Sequence, residues 1–322
     1  MASRSELDAQ TLRHDPRIAG KYLVTDLIGT GGMAQVFEAI RWSDGRRVAV
    51  KVLHPERAQD QRSRRYVLRE AHALAVASHP GVVELIEYGE TGGGLPFLVL
   101  EWLDGRTLLA AIHEEGPLPV PVIRRTMDGI LDALQVIHSR GVLHVDLKPD
   151  NIMLVPELDG TESVRLIDFG VASIELQPCA PPGEVCGTPG YLAPEVVTGG
   201  TPSPAADVYS AAVILFEMLT GCAAFAGDSV THILSRQLYE PPPTVSALRP
   251  GLGPILDTVL HRALAPNPQD RFVGAGGLRA AFHLAISPAG HAAGCMRPHL
   301  PNDLDTARWR HHRIAVPIRE AS

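Results

Sequence analysis

The apolar residues of this chain change their spacing at Asp104-Gly105, and that change limits the folds the sequence can adopt. Before this point, short apolar runs of β type are separated by turns such as Ser43-Asp44-Gly45 and Gly92-Gly93-Gly94. After it, apolar residues recur at helical spacing over 123–139, 205–219, 255–265 and 277–284. The pattern predicts an α+β fold in two parts, a β-rich lobe followed by a mainly helical lobe.

Five apolar runs and one helical stretch make up the first part. The runs that are typical of β-strands are YLVTDLIG, QVFEAI, RRVAVKVL, VVELIEYG and PFLVLEWL. A helix is predicted over about 62–78, where Val67, Ala71 and Leu74 recur at helical spacing. In the second part, strands over 152–155 and 164–167 should form a small hairpin around a turn at Asp159-Gly160.

These patterns divide the chain into four segments. We expect a flexible N-terminal arm over 1–20, an N-lobe over 21–103, a C-lobe over 104–285 and a weakly ordered tail over 286–322. The tail has little apolar periodicity, which is typical of a terminus that does not pack against a core.

Composition excludes several classes of protein. The net charge is −7, from 29 Lys and Arg against 36 Asp and Glu, so no strong positive field attracts nucleic acid or anionic lipid. The four cysteines form no C-x-x-C pair, which argues against a zinc ribbon. The apolar stretch 210–227 contains Glu217 and predicts a buried helix, and no secretory signal is visible. We therefore expect a cytoplasmic protein with no membrane span and no nucleic-acid partner.

A glycine-rich segment, GTGGMAQV over 29–36, lies between two predicted strands. Glycines such as Gly29, Gly31 and Gly32 let the backbone approach phosphate oxygens while its N–H groups remain free to donate. The strand–loop–strand setting argues against a dinucleotide-binding loop, because such a loop should open a helix. A glycine-rich turn that binds no ligand is the alternative.

Lys51 lies in the next apolar run, where an unpaired ammonium group would be costly to bury. Glu70, on the predicted helix that follows, is its natural partner. Together the two residues are suited to hold the phosphates of ATP. The alternative is a surface lysine whose side chain extends into water.

The strongest signal is the segment HVDLKPDN over 144–151, which is followed by Asp168-Phe169-Gly170. Asp146 supplies a carboxylate for a hydroxyl proton, and Lys148 supplies a cation for a phosphate in transfer. Asn151 and Asp168 supply two oxygen ligands for Mg²⁺. Both motifs follow the glycine-rich segment and Lys51 in the chain. All four would rarely occur in this order by chance, so the set indicates phosphoryl transfer.

With these motifs, the chain resembles the eukaryotic-like (Hanks-type) Ser/Thr protein kinases, in particular their bacterial members, over about residues 20–285. The segment GTPGYLAPE over 187–195 matches as well, and Arg271 stands where the family pairs an arginine with Glu195. The resemblance implies a two-lobed protein-kinase-like fold. It also implies transfer of the γ-phosphate of ATP, with Mg²⁺ or Mn²⁺, to Ser and Thr hydroxyls of protein substrates.

The resemblance implies roles for the nucleotide-side residues. Gly29, Gly31 and Gly32 would cover the phosphates, with Ala34 in the place of a third glycine of the family pattern. Lys51, held by Glu70, would contact the α- and β-phosphates. The residues expected around the adenine are Val36, Ala49 and Met153, together with the backbone from Glu101 to Leu103.

On the catalytic side, the resemblance gives Asp146 the role of orienting the substrate hydroxyl and accepting its proton. Lys148 would steady the γ-phosphate, and Asn151 and Asp168 would bind the metal ion. Thr188 would brace Asp146 and Lys148, which is a feature of Ser/Thr kinases. His144 is expected to be a core histidine against Phe169 and not an acid–base group.

One residue departs from the family pattern. Val145 occupies the position of the usual arginine, which normally pairs with a phosphate on the activation loop. Between Asp168 and Glu195 the only hydroxyl residues are Ser173, Thr188 and Tyr191. We therefore predict activity without activation-loop phosphorylation, with the prolines at 178, 181 and 182 helping to shape the loop.

Alternatives to an active protein kinase remain. One is a pseudokinase, acting as an ATP-binding scaffold or signalling adaptor. Such proteins usually lose one of four residues, and all four are present here: Lys51, Asp146, Asn151 and Asp168. Another is a small-molecule phosphotransferase, which would lack the Ala193-Pro194-Glu195 segment and its distant arginine. A regulatory partner, a homodimer and an oxidative bridge between Cys179 and Cys186 are further possibilities.

Overall fold

The computed structural model of the chain describes residues 17–170, 172–174 and 187–287. The predicted arm falls outside these residues except for 17–20, and the predicted tail except for 286–287. The predictions about the Cys179–Cys186 bridge and the prolines of 178–182 also concern residues outside the described ranges.

A β-rich part precedes a mainly helical part, as the sequence predicts. The described strands are β1 (Arg17–Ile18), β2 (Tyr22–Thr30), β3 (Ala34–Arg41), β4 (Arg47–Leu53), β5 (Leu85–Glu90), β6 (Pro96–Glu101), β7 (Arg106–Thr107), β8 (Val142–Leu143), β9 (Ile152–Pro156), β10 (Glu162–Leu166) and β11 (Ser173–Ile174). The described α-helices are α1 (Gln61–Ala77), α2 (Leu108–Glu115), α3 (Val120–Ser139), α4 (Pro194–Val197), α5 (Pro204–Thr220), α6 (Val230–Tyr239), α7 (Val245–Leu248), α8 (Pro254–Ala263) and α9 (Gly274–Ala285). Short 3-10 helices cover Pro55–Arg57, Pro149–Asn151 and Pro268–Asp270.

The N-lobe is an antiparallel six-stranded sheet in the order β1-β2-β3-β4-β6-β5, with α1 packed against it. Asp60 begins α1, because its carboxylate accepts hydrogen bonds from the backbone N–H groups of Arg62 and Ser63. Val67 and Ala71 then pack on Leu53 and Leu98 of the sheet. This contact places the inner face of α1 beside the side chains of β4.

The C-lobe core surrounds α5, whose residues from Ala206 to Thr220 are all buried. The prediction of one helix over 210–227 is wrong at its C-terminal end. Gly221 adopts a left-handed conformation with φ 69° and donates its N–H to the carbonyl of Glu217, which ends the helix. Within the described ranges, no helix is both long and apolar enough to cross a membrane.

Two small sheets position the loops between the lobes. β7, β9 and β10 form one sheet, and β8 pairs with β11 in the other. The turn between β9 and β10 closes as predicted, because the Asp159 side chain accepts from the N–H and hydroxyl of Thr161. The segment 144–151 therefore leaves β8 and enters β9, and Asp168 follows β10.

Four helices are not anticipated by the sequence pattern, namely α2, α4, α6 and α7. Helices α4 and α7 are a single turn each and too short to show a period, whereas α6 does carry Ile233, Leu234 and Leu238 at helical spacing, a signal that could have found it. The predicted strands and helices are present. Apart from the helix predicted over 210–227, their ends differ by at most three residues from the prediction, as at Leu85 where the run begins at Val82.

Candidate active site

Lys51 joins three elements from both lobes. Its Nζ donates to Glu70 Oε1 at 2.7 Å, to Glu70 Oε2 at 2.8 Å and to Asp168 Oδ1 at 2.8 Å. Glu70 reaches Lys51 from α1 with only 2% of its surface exposed, and Asp168 comes from the loop after β10. The predicted Lys51–Glu70 ion pair is therefore present, and it extends to Asp168.

The Lys51 ammonium and the Asp168 carboxylate stabilise each other's charge, whereas burial, with the Asp168 carboxylate adding to it, raises the pKa of Glu70. Burial alone would lower the pKa of Lys51, but the carboxylates of Glu70 and Asp168 raise it well above its ordinary value. Burial also disfavours the charged form of Asp168, yet the charge and hydrogen bond of Lys51 hold its pKa below the ordinary value. At neutral pH the cluster therefore presents an ammonium group beside a carboxylate, the arrangement needed next to phosphate and a divalent cation.

The segment 144–151 is fixed around the carboxylate of Asp146. Thr188 Oγ1 donates to Asp146 Oδ1 at 2.8 Å and accepts from Lys148 Nζ at 2.8 Å. Asn151 Nδ2 donates to the backbone carbonyl of Asp146 at 2.9 Å and lies 3.3 Å from its Oδ2. Asp146, Lys148, Asn151 and Thr188 thus form one hydrogen-bonded group, although Thr188 is 42 residues from Asp146 in sequence.

A buried carboxylate lies beneath this segment. Asp207, on α5, is fully buried and accepts from the backbone N–H groups of His144 at 2.9 Å and Val145 at 2.8 Å. Its Oδ2 also lies 2.7 Å from His138 Nε2. Burial would raise the pKa of Asp207, but the hydrogen bonds and the nearby histidine charge hold it below its ordinary value.

Asp207 explains an unusual backbone conformation in the segment 144–151. Val145 has φ 68°, in the left-handed region, which is strained for a β-branched side chain. The two N–H groups bonded to Asp207 hold this conformation in place. The family resemblance implies that Asp207-Val208-Tyr209-Ser210 begins a buried central helix and is structural, and nothing in the sequence singles out His138. The available signal is an aspartate in the first turn of a mostly apolar helix.

His144 lies in the core, as expected from the sequence. Its ring centroid is 4.6 Å from that of Phe169, and its Nε2 lies 3.1 Å from the carbonyl of Ile167. Both side chains are fully buried. The pair links the segment 144–151 to the segment that carries Asp168.

The glycine-rich segment covers the end of β2, the connecting residues 31–33 and the start of β3, and its three glycines are exposed. A Cβ added at Gly29 or Gly32 would meet nothing within 4 Å in the described chain, and at Gly31 it would lie 3.6 Å from the carbonyl oxygen of Ala34. None of the three has a positive φ. Since neither backbone conformation nor the surrounding chain requires glycine here, the open space fits a ligand that approaches the backbone closely.

The residues expected around adenine come from both lobes. Val36 lies opposite Lys51 in the β3–β4 register, and Ala49 precedes Lys51 by two residues, so the three side chains share one face of the sheet. Met153, in the C-lobe sheet, is half-buried like Val36 and Ala49. The backbone N–H of Glu101 already donates to the Glu84 carbonyl at 3.0 Å, so a ligand edge must use other backbone groups of 101–103.

A second ion pair ties the end of the segment 187–195 to the C-lobe. Arg271 donates to both carboxylate oxygens of Glu195, at 2.8 and 2.7 Å, and is only 1% exposed. It also donates to the backbone carbonyls of Ala205, Ala265 and Pro266. The guanidinium is therefore paired and hydrogen-bonded, as a buried charge requires.

The donor set fits a divalent cation bound together with phosphates. Because Asn151 directs its amide nitrogen at Asp146, the amide oxygen faces the other way. Asp168 uses Oδ1 for Lys51 and retains Oδ2. Oxygen ligands of this kind suit Mg²⁺, which takes few protein ligands and completes its shell with phosphate and water.

A sheet lobe, a helical lobe and a charged array between them define a protein kinase catalytic domain. Residues 22–273 match the protein kinase domain family, and the chain belongs to that family.

Several relatives of this chain are bacterial kinases. The chain is 35% identical over 270 residues to serine/threonine-protein kinase pkn3 of Myxococcus xanthus, covering 82% of this chain and 49% of that protein. It is 36% identical over 264 residues to PknA of Mycobacterium tuberculosis, covering 80% of this chain and 60% of that protein. The chain thus spans about half to three fifths of the length of these relatives.

The fold also matches solved structures. The crystal structure of the Mycobacterium tuberculosis PknI kinase domain superposes with a TM-score of 0.64 at 30% identity, covering 83% of this chain and 96% of that one. These comparisons confirm the resemblance to Hanks-type bacterial Ser/Thr kinases and the two-lobed α+β fold. The roles of the individual site residues stay predictions.

Proposed function

We propose that this domain transfers the γ-phosphate of Mg-ATP to Ser and Thr hydroxyls of protein substrates. The observation that carries the proposal is the pairing of two arrays: Lys51 with Glu70 and Asp168, and Asp146 with Lys148 through Thr188. The first joins the lobes where phosphates would lie, and the second presents a fixed carboxylate beside an ammonium group.

Bound Mg-ATP supplies the phosphoryl group, and the side chains supply position and charge. Asp146, with one oxygen held by Thr188, orients the incoming hydroxyl and accepts its proton. Lys148 and Lys51 offset the negative charge of the phosphates, while Asn151 and Asp168 hold the cation. A loose phosphoryl-transfer transition state asks for little covalent chemistry, so positioning and charge neutralisation are the main contributions.

Activity without activation-loop phosphorylation is the second part of the proposal. Val145 is apolar and 4% exposed, so it offers no charge to a phosphate. The contacts of Thr188 with Asp146 and Lys148 need only unmodified side chains. Both observations support a catalytic segment that is braced without a phosphorylated partner.

The proposal extends to the metal ion, the cellular compartment and the regulation of the domain. The amide and carboxylate oxygens at the candidate metal site suit Mg²⁺ and would also accept Mn²⁺. Four cysteines with no C-x-x-C pair suit a reducing cytoplasm. A regulatory partner or a homodimer would supply the input that controls the domain.

The test is transfer of labelled γ-phosphate from Mg-ATP to the protein itself and to a generic basic protein substrate. Wild type and Asp146→Asn are both treated with phosphatase first. Transfer by the wild type alone supports both parts of the proposal. ATP binding without transfer by either protein favours the pseudokinase alternative.

Intact-mass analysis completes this test. The expected result is an active wild type whose mass shows no phosphate on the activation loop. If phosphatase treatment abolishes activity and phosphorylation at Ser173 or Thr188 restores it, activation does depend on the loop phosphate.

A further inference from the structure

Two side chains that follow β4 contact the carbonyl groups of the glycine-rich segment. His54 Nε2 lies 2.8 Å from the carbonyl oxygen of Gly31, and Arg57 Nε donates to that of Gly32 at 3.0 Å. Since a carbonyl oxygen only accepts, His54 carries its proton on Nε2 in this contact. The backbone N–H of His54 also donates to the carbonyl of Met33 at 3.0 Å.

These contacts set the direction of two backbone N–H groups. In a trans peptide the C=O and the following N–H point in opposite directions. Holding the carbonyls of Gly31 and Gly32 therefore turns the N–H groups of Gly32 and Met33 away from His54 and Arg57.

The face towards which these N–H groups point follows from β4. Lys51 and Leu53 share one face of the strand, where they meet Glu70 and α1. His54 follows the last residue of β4, and its ψ of 139° keeps the backbone extended there, so its side chain falls on the opposite side from Leu53. The N–H groups of Gly32 and Met33 are thus directed to the side of β4 that carries the Lys51 ammonium.

A loop of adjacent glycines needs such support. Glycine has the largest backbone freedom of any residue, and Gly29, Gly31 and Gly32 are all exposed. Within the loop, the N–H of Gly31 donates to the carbonyl of Ala34 at 2.9 Å and closes the turn. That bond leaves the peptide groups at Gly31-Gly32 and Gly32-Met33 to be oriented by the side chains outside the loop.

We propose that His54 and Arg57 are positioning residues for the triphosphate of ATP. They hold two peptide groups of the glycine-rich segment so that the N–H groups of Gly32 and Met33 are oriented before the nucleotide arrives. The inference rests on the proposed function only in that ATP binds below this segment. Pre-orientation lowers the ordering cost of binding, so it should strengthen phosphate binding and leave adenine binding unchanged.

The experiment compares two ligands by calorimetry, a non-hydrolysable ATP analogue with Mg²⁺ and plain adenosine. In the double variant His54→Ala/Arg57→Ala, the dissociation constant of the ATP analogue should rise about tenfold, as expected for two lost hydrogen bonds. That of adenosine should stay within about twofold. The conservative variants His54→Gln and Arg57→Lys keep a donor and should recover part of the loss.

The control is Glu56→Ala, an exposed residue of the same 3-10 turn, which should change neither constant. Amide hydrogen exchange over 29–34 in the nucleotide-free protein gives a second readout and should become faster in the double variant. Equal losses for both ligands, or an unchanged constant for the ATP analogue, would overturn the positioning role. A wild type that binds neither ligand would instead contradict the proposed function itself.

Discussion

The segment 144–151 belongs to the C-lobe and the glycine-rich segment to the N-lobe, and the two are held in different ways. Asp146 is fixed by Thr188 and Asn151, and the backbone beside it is bonded to the fully buried Asp207. The three glycines of the glycine-rich segment are exposed, and its carbonyls are held by the half-buried His54 and the exposed Arg57. Buried, charge-assisted hydrogen bonds resist rearrangement, whereas exposed ones are easily broken.

This difference has a functional meaning. A carboxylate that accepts a proton must keep its position through every turnover, so rigid support is an advantage. A loop that covers a nucleotide must let it enter and leave, so weak support is an advantage. Substitutions in the segment 144–151, or of the Asp207 that supports it, should therefore have large effects on activity and stability. Substitutions in the glycine-rich segment should have small ones.

The largest expected effect is on phosphate transfer in a variant of Asp146. Asp146→Asn removes the proposed proton acceptor but keeps the shape of the side chain, so the rate of phosphate transfer should fall on the order of a thousandfold. The measurement is the initial rate of labelled phosphate transfer, with a thermal melt to show that the fold persists. Asp228→Asn, an exposed aspartate before α6, is the matched control and should keep the wild-type rate. Equal rates for Asp146→Asn and wild type would show that Asp146 is not the acceptor.

The support beneath the catalytic segment should matter nearly as much. Asp207→Ala leaves two buried backbone N–H groups and His138 without their acceptor. We expect the free energy of unfolding to fall by about 3 kcal/mol and Val145 to lose its left-handed conformation. Urea unfolding measures the first effect, and the transfer rate should drop with it.

Comparing Asp207→Ala with Asp257→Ala sharpens this prediction. Asp257 also accepts from a backbone N–H, that of Ser246, but in the first turn of α8 and from a single donor. Its replacement should cost about 1 kcal/mol or less. If the two variants lose the same free energy of unfolding, the buried Asp207 gives the segment 144–151 no special support.

The next effect depends on pH. Glu217, on α5, accepts from the hydroxyl of Tyr191 at 2.9 and 3.0 Å, and burial raises its pKa to about 7 despite that bond, with Asp150 adding to the rise. The unfolded chain releases this proton near the ordinary value of 4.5. The folded state therefore binds more protons between these values, and stability is lost as pH rises from about 4.5 to 7.

Glu217→Gln removes this loss. At pH 8 it should raise the free energy of unfolding by about 3 kcal/mol at most, and near pH 4.5 it should have no effect. Thermal melts of variant and wild type at both pH values measure the difference. Glu157→Gln, an exposed residue of the β9–β10 hairpin, should leave the melting temperature unchanged at both. If Glu217→Gln stabilises the protein equally at the two pH values, the raised pKa of Glu217 is not the cause of the stability loss.

The sequence predicts the strands, the long helices and the motifs because these are local patterns. The pairing of Lys51 with Glu70 is also predictable, since a buried cation on a strand needs a partner on the next helix. Gln237 shows the limit: it is fully buried and bonds the N–H of Gly190 and the carbonyl of Leu192, a burial that a polar side chain does not reveal in the sequence. Contacts such as Asp207 with Val145 or Arg57 with Gly32 join residues far apart in sequence, which no local pattern reveals.

Two glycines differ in the space around them, and the substitution of Gly32 should have the smallest effect on stability. A Cβ at Gly32 meets nothing within 4 Å in the described chain, whereas one at Gly105 would lie 2.3 Å from the carbonyl oxygen of Leu154. Gly32→Ala should therefore raise the free energy of unfolding by about 0.5 kcal/mol through the unfolded state, while Gly105→Ala should lower it by about 2 kcal/mol. Binding of the ATP analogue should nevertheless weaken in Gly32→Ala, because its methyl group would occupy the space that phosphate needs. If Gly32→Ala is as unstable as Gly105→Ala, the fold and not the ligand demands glycine in this loop.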